Sequence, residues 1–564
     1  MPRPLNIELG GTGTNDGSTL RGGAYIVPAQ FGAVGDGVTD DTAALQAAAT
    51  AAANKTLILV GSYLVTGQIT LSSNTAVIGE PGSYVQTTSP NANIFYATGK
   101  RGIKFVGVVL KSTVQGTNVE NGGIYLDSCN HCSIVDCEFE GMQQSAVFLN
   151  STSYCTVSRN YVHDSLGMSV GGVDTADVFV YRDSTYNNIE GNFCFGGLSI
   201  AFGIGIQGPG TTNPFGNKIC NNYIADHSAY GILAYQITAA DVRTYVVGNT
   251  VQNITGGYNP ASGMGIYIQT SGGTIVQGNY VRNCMSSTSS ATNGAGAITI
   301  AFNGAARETS IVSGNHIDAP KWRGIHISDS SCEVICSDNY VSFADGTAGA
   351  GIYVVDSSYT NIANNRVKAA NTVARPGISI FASTVDCVGN SIVGNAVTGT
   401  NDSLIQQVYS STFRHKKSRI VGNTCVSTGS SAQAMVIQGT SDSVISDNTL
   451  EAPSVCLSVD TVVNCRGTGN VVVQVTTNGF LSGGTCSNTF FDASNYWGSS
   501  TTLIQNTAAG VNIVWRATVV PASGNWQRGD EWVLTTPSAS TSPGSYCVTA
   551  GSPGTWKARA NLAA

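Results

Sequence analysis

The chain has 564 residues, only 11 % of them charged against a typical ~25 %, and 67 of them glycine. A net charge of −7 and a pI near 5.4 leave no basic footprint for nucleic acid. No apolar run reaches the roughly 18 residues of a membrane-spanning helix, and no membrane insertion is expected. MPRPLNIELGGTG lacks the apolar core of a signal peptide.

Residues 1–28, rich in Gly, Thr and Asn, read as an attachment segment or linker. An Ala-rich stretch from Ala43 to Ala53 is the one helix expected, with Asp40, Asp41 and Thr42 supplying the N-cap and favourable first-turn charge. It is placed over the open end of a β-stack, because such a stack must not leave a raw sheet edge. A strand is expected over Thr56 to Val60.

From there a short phrase recurs twelve times: Asn160 (RNYV), Asn192, Asn222, Asn249, Asn279, Asn315, Asn339, Asn365, Asn395, Asn423, Asn448 and Asn470, at intervals of 22 to 36 residues. Self-similarity at that period marks a repeat architecture and overrides the several domains that length alone suggests. Each period also carries an apolar alternation such as Gly123-Ile124-Tyr125-Leu126 or Gly265-Ile266-Tyr267-Ile268, which is the strand signature. The unit is a β-rung, with rungs stacked at about 4.8 Å. The Asn is expected to turn the chain between strands, tolerating left-handed backbone and capping backbone groups, so that stacked turns form an amide ladder.

Fifteen cysteines are scattered and odd in number. Many, including Cys155, Cys194, Cys220, Cys387 and Cys425, fall at apolar rung positions and read as small buried hydrophobes. Cys129, Cys132 and Cys137 lack a second pair at zinc spacing, so no metal and no cofactor is expected.

The segment Phe31 to Gln46 (FGAVGDGVTDDTAALQ), with the following strand and Gly61-Ser62-Tyr63, resembles the opening of pectate-lyase-like right-handed β-helices, a superfamily that includes phage tailspikes and polygalacturonase relatives. ELGGTGT resembles segments of phage tail fibres, and Asn495-Tyr496-Trp497-Gly498 resembles the last-rung signature of the superfamily. The resemblance implies an all-β right-handed parallel β-helix (solenoid) over residues 29–505, a virion-attachment segment over 1–28 and a small C-terminal β-module over 506–564. That module holds Trp515, Trp526, Trp532 and Trp556, which read as core and trimerisation in preference to a glycan platform.

Laying the rungs on the Asn places Tyr161, Phe193, Tyr223, Thr250, Tyr280, His316 and Tyr340 in one outward column, with Glu138 above them. Such a stripe suits either sugar stacking or a subunit interface. A second column holds Asp164 and Asp226, two rungs or about 9.6 Å apart, with Gly196 between them leaving room for a sugar ring. Inverting glycosidases separate their carboxyls by roughly 6.5–9.5 Å, retaining ones by about 5–5.5 Å. The expected catalytic groups are Asp164, Asp174, Asp177 and Asp226, and the expected substrate-binding groups are His163, Tyr161, Arg182, Tyr223, His227, Tyr235 and Glu140. Asp136, Glu138 and Glu140 extend the acidic zone by one rung, and Asp183 and Glu190 lie nearby. Lower down, Arg307-Glu308, Lys321-Trp322-Arg323 and Arg414-His415-Lys416-Lys417 suit either the holding of an acidic glycan or simple solvation.

The resemblance implies a phage tailspike that depolymerises a bacterial surface polysaccharide, with glycoside hydrolysis by paired carboxylates expected first. The alternatives are β-elimination of a uronate-containing glycan, using His163, Tyr161, His227 and Arg182, and a virion fibre that binds glycan without cutting it. A homotrimer, attached to the phage tail or baseplate through its N-terminus, is implied by the resemblance alone.

Overall fold

The structure, a computed structural model, describes residues 25–560 apart from 91–92, 117–121, 168–174, 197–200, 210–211, 238–243, 256–262, 271–272, 285–295, 303–307, 331–332, 344–348, 369–375, 400–402, 411, 430–431, 475–476, 498–503, 518–519 and 536–541.

The chain coils into three parallel sheets, each turn contributing one short strand to each. In a representative turn, Thr156–Ser158 lies in the first sheet, Tyr161–His163 in the second and Ala176–Tyr181 in the third. Each strand pairs with its counterparts one turn away: Thr156 with Ser133 and Asn188, Tyr161 with Glu138 and Phe193, Val178 with Val147 and Ile204. The ladder starts with Tyr25–Ile26 on Thr56–Leu57. Inward positions form one continuous core of stacked β-branched and leucine side chains, such as Ile134, Val157, Ile189 and Ile219, all within 1 % of full burial. Burying each such side chain contributes roughly 1.5–3 kcal/mol before entropy.

The repeated asparagines stand between the first and second sheets with their side chains inside, 0–1 % exposed from Asn160 to Asn495. Each amide does the same work. Asn279 Nδ2 donates to Asn315 Oδ1 and to Val246 O, both at 2.9 Å, while its Oδ1 accepts the Asn249 backbone N–H at 2.9 Å and side-chain Nδ2 at 3.0 Å. The ladder expected from the repeat is therefore present. The left-handed residue, however, is the one before each Asn: Arg159 (φ 53°), Gly191, Asn221, Gly248, Gly278 and Gly314. That residue makes the bend and sends the Asn side chain inward.

A second corner joins the second sheet to the third. There the first inward position of the third-sheet strand is small: Gly123, Ala146, Gly203, Gly231, Gly265, Ala297, Gly324, Gly351 and Gly377. The reason is steric. A Cβ on Gly231 would lie 2.2 Å from Val251 Cγ1 and 2.7 Å from the Gly265 carbonyl oxygen. Between Gly123 and Gly377, the residue in this column that is neither glycine nor alanine is Asp177, the sole polar side chain there.

The helix Thr42–Ala51 buries Leu45, Ala48 and Ala49 against the first turns. Asp41 is its N-cap residue but makes no side-chain capping bond, reaching back instead to the Val34 and Gly35 N–H groups, while Asp40 accepts the Thr42 N–H at 3.0 Å. At the other end, Val511–Ala517 continues the first sheet from Thr489–Phe491, then pairs with Glu531–Leu534 before an antiparallel hairpin, Gly544–Thr549 with Thr555–Ala558. Of the four tryptophans expected in the core, Trp515, Trp526 and Trp532 are buried, at 1–5 % exposure, whereas Trp556 is only partly buried against them. The cysteines described are free and, except for half-buried Cys220, buried.

Candidate functional site

The outward column of the second sheet is in register as the Asn spacing requires, running Glu138, Tyr161, Phe193, Tyr223, Thr250, Tyr280, His316, Tyr340. Tyr161 and Phe193 are 44 % and 51 % exposed, and the Phe193 and Tyr223 rings stack at 6.1 Å. Two residues further along each strand, Lys111, Glu140 and His163 form the adjoining column.

These two columns meet in a compact polar cluster. His163 lies between two carboxylates, its Nδ1 2.7 Å from Asp164 Oδ2 and its Nε2 3.4 Å from Glu138 Oε1. Tyr161 stacks on the His163 ring at 4.5 Å. Glu140 pairs with Lys111 at 2.6 Å, and that bond holds the Lys111 ammonium above its ordinary pKa. One ligand atom from each of Glu138, Glu140 and His163 falls within 4.8 Å of the others. The Lys111 ammonium already supplies the positive charge against Glu140 that a metal ion would bring. Lys111 carried no signal in the sequence, since its turn precedes the Asn ladder.

Asp164, at the edge of this cluster, shares its backbone setting with Asp226, and the other expected site residues go elsewhere. Asp164 and Asp226 occupy left-handed positions, at φ 53° and 63°, where the chain leaves the second sheet. Asp226 accepts Asn253 Nδ2 at 3.1 Å, and Asn253 in turn accepts Asn283 Nδ2 at 2.9 Å, an outer amide ladder that Asp226 ends. Asp177 and His227 are interior, at 1 % and 0 % exposure, joined by His227 Nε2 to Asp177 Oδ2 at 2.9 Å. Ser165 Oγ donates to the other Asp177 oxygen at 2.9 Å. Gly196 makes room for this imidazole and not for a sugar ring, because a Cβ there would sit 2.5 Å from His227 Cδ2.

Arg182 and Tyr235 belong to the third-sheet face. The Arg182 guanidinium lies 5.2 Å from the Tyr181 ring, and Tyr181, Gln207 and Tyr235 share one register. This face carries a second aromatic run, with Tyr125, Phe148, Phe179, Phe202, Tyr230 and Tyr267 packed on one another. Asp174 lies outside the described residues. Asp136 is held by Arg159 through two bonds of 2.8 and 2.9 Å, and Asp183 accepts the Asn213 N–H at 2.8 Å. The structure thus brings together Glu140, Tyr161, His163 and Asp164, with Tyr223 two rungs below Tyr161, and separates them from Asp177, His227, Arg182 and Tyr235.

Comparison with known proteins agrees with this architecture. Residues 27–103 match the family described as "Rhamnogalacturonase A/epimerase, pectate lyase-like", and residues 96–260 match "Right handed beta helix region". A capsule-specific protein of Klebsiella phage K5-2, "Depolymerase 1", is 53 % identical over 72 residues, covering 11 % of this chain and 9 % of that relative. The chain therefore spans about a tenth of the length of the curated relative it matches. Among solved structures, the tailspike of E. coli bacteriophage HK620 matches over 87 % of this chain and 80 % of its own, at 15 % identity and a TM-score of 0.41. Tailspike protein 3 of bacteriophage CBA120 matches over 96 % and 70 %, at 14 % identity and a TM-score of 0.38. The chain is a right-handed parallel β-helix, and its residues 27–103 are similar to a pectate-lyase-like family.

Proposed function

We propose that the protein is a phage tailspike that binds and depolymerises a bacterial surface polysaccharide, acting from the virion tail at the host cell surface. The observation that carries this reading is the convergence of Glu138, Glu140, His163 and Asp164 beside an exposed aromatic stripe. Exposed rings offer stacking surfaces for sugars, and carboxylates at short range are the working groups of glycosidases. The local identity with a capsule-specific phage depolymerase supports the same reading.

Within it, hydrolysis uses the Glu138 and Glu140 carboxyls. A carboxylate oxygen of each lies within 4.8 Å of the other, nearer the about 5–5.5 Å of retaining enzymes than the wider inverting separation. Glu140, ion-paired with Lys111, suits the nucleophile, and Glu138, facing His163, suits the proton donor to the leaving oxygen. Asp164 fixes the imidazole from its other side. Tyr161, Phe193 and Tyr223 bind successive sugars, Asp226 borders the groove below, and Asp177 and His227 hold its wall from within. β-Elimination remains the second reading, favoured by Tyr161 stacked on His163 with the Lys111 ammonium nearby as a partner for a uronate carboxylate. A homotrimer tethered to the tail through the N-terminal segment completes the proposal.

Digestion of a panel of purified capsular polysaccharides tests it. New reducing ends without ultraviolet-absorbing unsaturated ends support hydrolysis, unsaturated ends support elimination, and binding without release supports a non-catalytic fibre. No binding to any bacterial polysaccharide overturns the reading.

A further inference from the structure

Among the described residues, one cation on the third-sheet face, Arg323, has no carboxylate partner. Arg323 sits on this outer face, in register with Gly296, and its guanidinium stacks 3.9 Å from the centre of the Tyr353 ring. The side chain is largely withdrawn from water, and among the described residues Nη1 is buried without a hydrogen-bond partner. Burial holds its pKa below the ordinary arginine value, and the one group opposing that shift is the Tyr353 phenol. The carboxylate acting on Tyr353 is Asp356, and it is committed elsewhere. Asp356 accepts the Ser383 and Thr384 N–H groups at 2.6 and 2.8 Å. Exposed Lys321 adds a second positive charge two residues away.

A partly desolvated guanidinium supported only by a ring face is costly unless an anion completes it. Its planar fork is shaped to receive two oxygens of one carboxylate. The surroundings are those of a sugar site. Tyr230 and Tyr267 stack at 5.5 Å, Tyr235 and Tyr267 at 6.4 Å, and Tyr230, Tyr267 and Trp322 all pack against Met264. His326 and Tyr353 continue the run at 5.6 Å.

We propose that Arg323, flanked by this aromatic run, is a subsite for the carboxylate of an acidic sugar, so that the polysaccharide recognised contains uronate residues. The assignment rests on the glycan-binding reading above and deepens it, but it does not depend on which carboxylates cut. It places a recognition site on the third-sheet face, apart from the Glu138–His163 cluster on the second.

The full-length protein is mixed with sodium D-glucuronate, D-glucose or inorganic phosphate, and saturation-transfer NMR reads the sugars by proton signals and phosphate by competition against glucuronate. Transfer to glucuronate with little to glucose is expected. Arg323→Met should weaken glucuronate binding by roughly tenfold or more, with Arg323→Lys intermediate because it keeps the charge and loses the fork. Equal transfer to glucose and glucuronate, undiminished glucuronate binding by Arg323→Met, or phosphate displacing glucuronate at far lower concentration would each overturn the assignment. Thermal midpoints of both variants confirm folding, and the Lys variant serves where the Met variant does not fold. Glucuronate binding at Arg323 without release of sugar ends from any capsule would sink the depolymerase reading and leave this subsite standing.

Discussion

His227 Nε2 meets Asp177 Oδ2 at 2.9 Å inside the corner where the second sheet hands the chain to the third. Neighbouring rungs fill the Asp177 position with glycine or alanine, and other rungs fill the position of His227 with apolar Met142, Ile254 and Cys284 or with Ser165, which itself donates to Asp177. A polar pair has thus replaced an apolar contact within a repeating frame. Breaking a buried pair on one side leaves an uncompensated group and costs about 3–5 kcal/mol, whereas replacing both partners by apolar residues is often neutral. Asp177→Gly and His227→Ile should each lower the unfolding midpoint, and the double variant should recover most of the loss. Thermal or urea unfolding of the four proteins reads the cycle; additive losses would contradict a direct pair.

The inner amide ladder makes a second, sharper demand. Asn279 is bonded above and below, so truncation strands buried groups of Asn249, Asn315 and Val246 together. Each unsatisfied group costs about 1–3 kcal/mol. Asn279→Ala should therefore destabilise by several kcal/mol. Asn279→Asp keeps the acceptor and loses both donors, and should be no better. Replacing half-buried Asn253 of the outer ladder should cost well under half as much, because water can take over its bonds. Denaturation midpoints of the three variants decide this, and equal losses would mean that burial is irrelevant.

How far the sequence reaches is visible in the same residues. From Asn160 onward, the period of the Asn ladder gave the succession of rungs, the register of the second-sheet columns and the outward stripe from Tyr161 to Tyr340, because those turns repeat the same bend. It could not show which aspartates face water. Asp164 and Asp177 follow the second-sheet strand of one rung, yet the first is at the surface and the second inside, a distinction made by where the irregular third-sheet strand starts. Gly196 was legible as a missing side chain but not as the space for His227, which comes from the next rung. Lys111 lies above the first repeated Asn, so no alignment on that residue could bring it to Glu140.

Two buried titratable groups give pH effects of opposite sign. Burial pushes His415 down to about 4, with the Val408 carbonyl accepting from Nε2 at 2.6 Å. The unfolded chain takes up this proton near 6.5, so the stability His415 contributes is full above about 6.5 and is lost as the pH falls toward 4. Burial pushes Asp530 up to about 6, despite bonds from Asn506, Ile513 and Gln527. Its contribution is present below about 4 and is lost as the pH rises through 6. Each amounts to roughly 3 kcal/mol at its limit. Hydrogen exchange between pH 4 and 7 should show strands near His415 protecting better as pH rises, and those around Asp530 protecting less. His415→Gln and Asp530→Asn should flatten the respective trends.

The second-sheet cluster supplies the test of chemistry. Glu138→Gln and Glu140→Gln keep size and remove the acid function, so each should cut depolymerisation by about a hundredfold or more with KM little changed, as expected for groups acting in the transition state. Both carboxyls are partly exposed, and neither change should move the unfolding midpoint by more than about 1 kcal/mol. Asp164→Asn, acting through His163, should lower kcat less and shift its pH profile, since the amide no longer holds the imidazole by charge. Phe193→Ala removes a stacking surface and should raise KM several-fold at unchanged kcat, consistent with the about 0.5–1.5 kcal/mol of a ring contact. If instead both Gln variants stay active while Asp226→Asn is inert, the reacting bond lies across the outer ladder at the Asp164–Asp226 edge, and the cleft must be moved one column toward the third sheet.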